Sequence, residues 1–472
     1  MTMYQVPIQA GRSWLWARLR RHTGELLRLA VPVVISRLGI VTMAMVDTLF
    51  VARFSEIELA YQSIGLAPTN SILMISIGLI LGALVVTSNA FGVGDYRECG
   101  AILRRSIPYG LAIGLMGMVL CFFGTPFLLL TGQTPDIAVG GGEVILIIGL
   151  GLPWLLVFNL GLFFLEGIKR PMPGMIMMLA ANLLNILLNW MLVFGHWGFP
   201  AMGATGSAWA TTLIRVFLVA VMLIFLWRMH DRHKFGLGWP TLRGWTKWRP
   251  QRRIGYAAGT SIGLEGMAFS VLNLFAGLIS VAALGAFAIA LNILALIFMV
   301  ALGLASATAV RVGIAYGRQD VPDMALAGWT GLAVNTIVMI LFGVVIAVYG
   351  WDIASLYNED PVLVGLAGAL IAFSAFILIL DGGQVVVAHA LRGRHDNVVP
   401  TISHAISYFG VMVPVGWLLG VVWERGAMGL FEAILIGSAV SFGLLTYRFY
   451  RLCRRDRLAA AKAAPQPDAP VC

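Results

Sequence analysis

The chain has 472 residues, is 59% hydrophobic and only 11% charged, and carries a net charge of +10. A soluble domain holds about 25% charged residues, so an ordinary soluble protein is excluded. Apolar runs of roughly 18 residues or more recur along most of the length, each long enough to cross a bilayer as a helix. Lipid offers no partners to backbone amides, so spanning segments must be helices or a closed barrel. Barrel-type alternation is absent, which leaves an all-α polytopic membrane protein.

In chain order, Met1–Arg28 is basic and lacks an apolar core followed by a cleavage site, so no removable signal peptide is expected. Twelve transmembrane helices are predicted near 28–52, 62–90, 107–131, 141–165, 174–195, 204–228, 254–279, 286–313, 326–348, 363–388, 400–422 and 427–450. This divides the chain into a basic N-terminus (1–27), a six-helix lobe (28–228), a linker (229–253), a second six-helix lobe (254–450) and a tail expected to be disordered (451–472). Of the 32 Lys and Arg residues, 28 fall on the terminal segments and the even-numbered connections. Arg53 and Arg425 fall on the other side, and Arg37 and Arg215 lie within spans. That asymmetry predicts that both termini are cytoplasmic. The basic excess is therefore a topology signal, with anionic lipid as a secondary contact, and no nucleic-acid partner is expected.

The halves resemble one another. "LGALVVTSNAFGVGDYRECGA" (81–101) after the second span matches "LASATAVRVGIAYGRQDVPDMALAG" (304–328) after the eighth: small residues and glycines close a helix, with an Asp just beyond. "LEGIKRPMP" after span four matches "LRGRHDNVVP" after span ten. The offsets lie near 223–228 residues. Each half has an even number of spans, so the pseudo-symmetry axis should follow the membrane normal, with a central cavity between the lobes.

A carboxylate at a helix centre costs roughly 2.5–3.5 kcal/mol on insertion scales, so retained ones face a cavity or a partner. Asp47, Glu265 and Asp381 lie well inside spans; Glu143, Glu166 and Glu432 lie near ends and are expected at the interface. Glu265 follows Arg253 into the bilayer and Asp381 precedes Arg392 out of it, so at about 1.5 Å per residue both sit some 17 Å deep. They are expected to line one polar pocket and to titrate as a coupled unit that holds a proton or a cation. A carboxylate hydrogen-bonded to Ser or Asn for structure alone is the alternative. In the first lobe Asn182, Asn185 and Asn189 share one face of the fifth helix. Asn189 matches Asp47 in depth, and Thr211 enters from the outer side. Carboxylate, amide and hydroxyl groups are hard ligands that suit Na⁺ or a proton relay, although Asn faces also serve as interhelical glue.

Pro32, Pro153 and Pro414 permit bends. Arg37 either snorkels or pairs with a carboxylate. "PMPGMIMM" (171–178) reads as core packing or an adaptable wall, and His389 and His404 as satisfied within the bundle. The four cysteines (Cys99, Cys121, Cys453, Cys472) show no metal spacing and are expected as free thiols. No phosphate-binding loop, nucleophile elbow or HExxH motif occurs.

At these residues the chain closely resembles the multidrug and toxic compound extrusion (MATE) transporters, in particular their NorM-like branch. The resemblance is carried by "LAVPVVISRLGIVTMAMVDTLFVARFS", "NLLNILLNWMLVFGHWGFPAMGATGSAWAT", "LGAFAIALNILALIFMVALGLASATAVRVGIAYGRQD" and "LDGGQVVVAHALRGRHDNVVP", and spans about residues 25–450. It implies twelve helices in two lobes and export of bulky, often cationic aromatic compounds driven by Na⁺ or H⁺. It also implies a monomer in the bacterial plasma (inner) membrane that needs no cofactor beyond the coupling ion. Asp47 matches the family's first-helix aspartate; Asn185, Asn189 and Thr211 match its cation-site positions in the first lobe. Glu265 and Asp381 match the acidic pair of the NorM-like branch. Departures are Ile377, where an aromatic often stands, Thr260 in place of a proline, and the charge of Arg37. Rival readings are a lipid-linked oligosaccharide flippase of the same superfamily and a membrane-embedded acyltransferase built on His389.

Overall fold

The structure, a computed structural model, describes residues 12–237 and 248–463. Ten helices among them are long and apolar enough to span a membrane, and two sharply bent pairs bring the number to twelve. The first lobe comprises α1 (Arg12–Phe54), α2 (Glu56–Val93), α3 (Tyr96–Cys121 bent into Gly124–Leu130), α4 (Pro135–Leu150 bent into Leu152–Gly167), α5 (Met172–Phe194) and α6 (Gly203–Arg228). The second comprises α7 (Arg249–Ile279), α8 (Val281–Gly317), α9 (Val321–Ser355), α10 (Pro361–Gly393), α11 (Val398–Val422) and α12 (Gly426–Ala463). The bend in α4 is 42° and falls at Gly151. Pro153 stands just beyond it, without an N–H to continue the ladder. Around Pro414, α11 widens into π-helical turns over Ile406–Met412 and Trp417–Val422.

Two expected boundaries move. The basic N-terminal segment is continuous with the first span, since α1 begins at Arg12. The tail expected to be disordered continues α12 as far as Ala463. In both cases the amphipathic or charged turns simply extend a helix whose nucleation is already complete. The rest of the tail, residues 1–11 and residues 238–247 of the linker lie outside the described residues.

The repeat is visible in backbone conformation. Gly94 (φ 88) and Gln319 (φ 59) take the left-handed conformation at equivalent helix ends, as do Lys169 (φ 61) and His395 (φ 65). Asp95 and Asp320, the aspartates of the first matched pair of segments, cap the following helices: each accepts a 3.0 Å bond, from the amides of Glu98 and Asp323. This is the N-cap arrangement that satisfies an orphan helix donor.

On the axis between the lobes the repeats touch reciprocally. A Cβ on Gly92 would strike the carbonyl of Ile314, and one on Gly317 would strike the carbonyl of Asn89. Glycine lets α2 and α8 cross at backbone contact there. Further contacts of this kind join α2 to α7 (Gly82 against Gln251, Gly255 against Leu79) and α1 to α8 (Gly303 against Val34). All lie toward the end that carries both termini.

Along α7 the lobes then separate. A Cβ on Gly255 would collide with Leu79; on Gly259 it would lie 3.0 Å from Leu79, on Gly263 3.5 Å from Ile75, and on Gly266 it would meet nothing within 4 Å. The space between the lobes is closed at the terminus-bearing end and widens toward the other. Overpacking costs about 1–3 kcal/mol, so Gly92→Ala and Gly317→Ala should lower stability by similar amounts in that range. Gly266→Ala should be neutral or stabilising by up to about 1 kcal/mol. Thermal unfolding of the purified variants in detergent measures all three.

Candidate functional site

In the first lobe, α1 presents Asp47 to α5 and α6. Its Oδ1 accepts from Asn185 Nδ2 (2.9 Å) and Asn189 Nδ2 (2.7 Å), and its Oδ2 accepts from Thr211 Oγ1 (2.6 Å). The structure thus brings together all four residues singled out in this lobe. Asn182 is not among them; its amide bonds the Met178 carbonyl. Asp47 is 7% exposed and both asparagines are fully buried. The side-chain amide oxygens of Asn185 and Asn189 have no hydrogen-bond partner among the described residues. Both asparagines turn Nδ2, not the amide oxygen, to Asp47, so three donors hold the carboxylate in this arrangement.

Arg215 stands one turn beyond Thr211 on α6. It donates to the Ile148 carbonyl (2.8 Å) at the bend of α4, and its charge acts on Asp47. The guanidinium occupies the space left by Gly151, where a Cβ would lie 2.7 Å from Arg215 Cδ.

In the second lobe, Glu265 on α7 and Asp381 on α10 belong to one network. Tyr408 of α11 shares a hydrogen bond with Glu265, and its hydroxyl also accepts from Gln384 Nε2 (2.8 Å). Gln384 donates to Asp381 Oδ1 as well (2.7 Å), and Ser438 of α12 donates to the same oxygen (3.3 Å). Asp381 is 4% exposed, whereas Glu265 is half-buried. Arg392 lies on the same face of α10, three turns toward the terminus-bearing end, where its charge acts on Glu265.

Tyr408, Gln384, Ser438 and Arg392 were not foreseen. Gln384 and Arg392 were within reach, because i+3 and i+11 return to the face of Asp381. Tyr408 and Ser438 come from other helices, and no spacing announces them. Tyr408 lies in the first widened turn of α11. Such π-turns recur at functional sites because they re-aim a side chain.

Two expectations, for Glu166 and His404, need correction, and the structure decides between the two readings of Arg37. Glu166, placed at the interface from its position near a helix end, is 5% exposed, with Oε1 3.9 Å from Arg37 Nη2. Arg37 is likewise buried and lies 5.8 Å over the Phe163 ring, so it pairs rather than snorkels. The bend in α4 carries its last turns inward and takes Glu166 with them. His404 is not satisfied: both ring nitrogens lack a hydrogen-bond partner among the described residues, while its ring lies tilted against Tyr408, with centroids 5.5 Å apart. His389, by contrast, bonds the Val385 carbonyl through Nδ1 (2.9 Å). Glu143 is exposed, and Glu432 pairs with Arg425 (2.6 Å). Cys99, Cys121 and Cys453 are free and buried; Cys472 lies outside the described residues.

The MatE family profile matches residues 32–191 and again 259–418, one copy in each lobe. A probable multidrug resistance protein NorM of Caulobacter vibrioides is 40% identical over 441 residues, covering 93% of this chain and 94% of that one. The multidrug resistance protein PmpM of Pseudomonas aeruginosa is 29% identical, covering 93% of each. The crystal structure of the eukaryotic MATE transporter AtDTX14 superposes with a TM-score of 0.86 at 17% identity, over 94% of this chain and 99% of that one. The chain belongs to the MATE family of membrane transporters.

Removing one member of a buried ion pair strands the other charge at a cost of about 3–5 kcal/mol, whereas apolar replacement of both can be neutral. Arg37→Met or Glu166→Leu alone should therefore lower stability by about that much. The Arg37→Met/Glu166→Leu pair should recover most of it, as measured by thermal unfolding at fixed pH.

Proposed function

We propose that this transporter exports organic compounds, often cationic and aromatic, by antiport against Na⁺ or H⁺. The observation that carries this reading is Glu265: a half-buried carboxylate, tied to Asp381 through Tyr408 and Gln384, on the helix whose glycines line the space opening between the lobes. A cationic cargo in that space gains carboxylate attraction and apolar contact from the helices around it. A cation entering from the open side competes for the same carboxylates and displaces it. The Asp47 cluster offers a second place for the coupling cation, walled off by Asn185, Asn189 and Thr211.

Only differential affinity for two states can drive the lobes from one to the other. Loading by cargo and by cation therefore has to favour opposite openings. With the termini in the cytoplasm of a bacterial cell, the conformation described faces outward, poised to release cargo and take up the cation. The relatives' names, which specify multidrug resistance, agree with this direction of transport. A lipid-linked oligosaccharide cargo fits less well, because the second lobe carries two acids within its spans, Glu265 and Asp381.

Glu265→Gln and Asp381→Asn, each at wild-type expression, should reduce efflux of a cationic dye at least tenfold. Undiminished efflux in both removes the acidic pair from the mechanism. In proteoliposomes, dye movement is measured under a Na⁺ gradient alone and then under a pH gradient alone. One of the two should support transport, and Asp47→Asn should weaken the dependence on that gradient. Full dependence in Asp47→Asn would remove the first-lobe cluster from coupling.

A further inference from the structure

At the terminus-bearing end, the first turns of α1 reach across to the other lobe. His22 is fully buried there, between two charged groups of the second lobe. Its Nδ1 lies 2.7 Å from Arg311 Nη2 on α8, and its Nε2 lies 3.0 Å from Asp323 Oδ1 at the start of α9. A guanidinium can only donate, so Nδ1 accepts and Nε2 carries the proton given to Asp323. Arg311 also donates to the His22 carbonyl. Arg21 adds a second contact across the lobes, 3.1 Å from Asp323 Oδ1, and Arg318 holds Oδ2 from the carboxylate's own lobe at 3.1 Å. Glu25 returns from α1 to Arg311 at 3.4 Å.

The repeat shows that this arrangement is not a by-product of pseudo-symmetry. Asp323 is the equivalent of Glu98 in the first lobe, and both follow a capping aspartate by three residues. Yet Glu98 bonds Arg105 of its own helix at 2.7 Å, whereas Asp323 bonds the opposite lobe. Across the other seam, Gln251 of α7 donates to Ser106 of α3 at 2.7 Å, a neutral contact. Glycine packing closes both seams; His22 adds a directional polar bond to one of them.

We propose that His22, Arg311 and Asp323 form the inner latch of the transport cycle, closed in this conformation and parted when the lobes open toward the termini. The inference rests on membership of a transporter family and not on the choice of coupling ion. The imidazole is the bridge: neutral, it donates to the carboxylate and accepts from the guanidinium at once. Arg21 and Glu25 beside it lie at the rim, 52% and 42% exposed on their side chains, so water stands next to the buried Arg311 and Asp323 once the lobes part. Opening therefore exchanges these bonds for water instead of leaving bare charges in a dry interior, which makes the latch reversible.

Glutamine reproduces both roles, an amide N–H to give and a carbonyl oxygen to receive; alanine reproduces neither. The test places spin labels at Arg97→Cys and Arg454→Cys, exposed positions of opposite lobes at this end. Pulsed EPR distances are recorded in lipid nanodiscs without drug or ion gradient. The expected result is a single short-distance population in the parent protein and in His22→Gln. His22→Ala and Asp323→Asn should show a longer-distance population at least threefold larger. Parent-like distances in folded His22→Ala and folded Asp323→Asn would overturn the proposal. So would a His22→Gln as open as His22→Ala. Should His22→Ala fail to purify as folded protein, Asp323→Asn against His22→Gln makes the same comparison. No gradient enters the measurement, so failure of the antiport reading would leave its outcome intact.

Discussion

A carboxylate inside a helical bundle surrounded by hydrocarbon has no water to fall back on. Every polar contact it needs must come from the protein itself, and that requirement organises the interior of both lobes. Asp47 holds α1 to α5 and α6 through three donors. Asp381 holds α10 to α12 through Ser438 and to α11 through Gln384 and Tyr408. The acids are thus simultaneously the chemistry of the site and the reason particular helices are neighbours. Glu265 differs in one respect: it is only half enclosed.

The two lobes meet where side chains are smallest. Gly92 and Gly317 admit each other's helix backbone on the axis, and Gly82, Gly255 and Gly303 do the same on the flanking seams. Close backbone approach maximises dispersion contact without any apolar driving force, which lipid does not supply. Such seams are compatible with rocking, since no long side chain must be withdrawn. Against this neutral background the ion pairs at the start of α1 stand out as the directional component of the closed end. The acidic network lies deeper, so the buried acids and the contacts of the closed end belong to separate groups of residues, joined by α10 and α8.

Much of this was legible in the one-dimensional pattern, for reasons that can be named. Continuous apolar runs permit only spanning helices, and the even number in each half predicts copies of one orientation. The matched segments near residues 81–101 and 304–328 lead to the same capping aspartates and left-handed helix ends in the structure. Asp47 and Asn189 could be paired by depth, because rise per residue is constant along a helix. Glu265 and Asp381 could be paired in the same way. Depth, however, says nothing about azimuth. Glu166 was misplaced because a break in α4, set by Gly151 and Pro153, turns the helix end inward.

What the amino-acid order determined by itself was membrane embedding, the number and repeat of the helices, and the short list of acids too costly to retain without use. Hydrophobicity, helical rise and charge placement are local or additive quantities, and a linear string records them completely. Only the tertiary structure decided which helix supplies Tyr408 and Ser438, that Arg37 meets Glu166, and that His22 crosses between lobes to Arg311 and Asp323. Those contacts join residues up to 301 positions apart. They depend on helix rotation and on the relative placement of two lobes, which no periodicity within a single segment encodes.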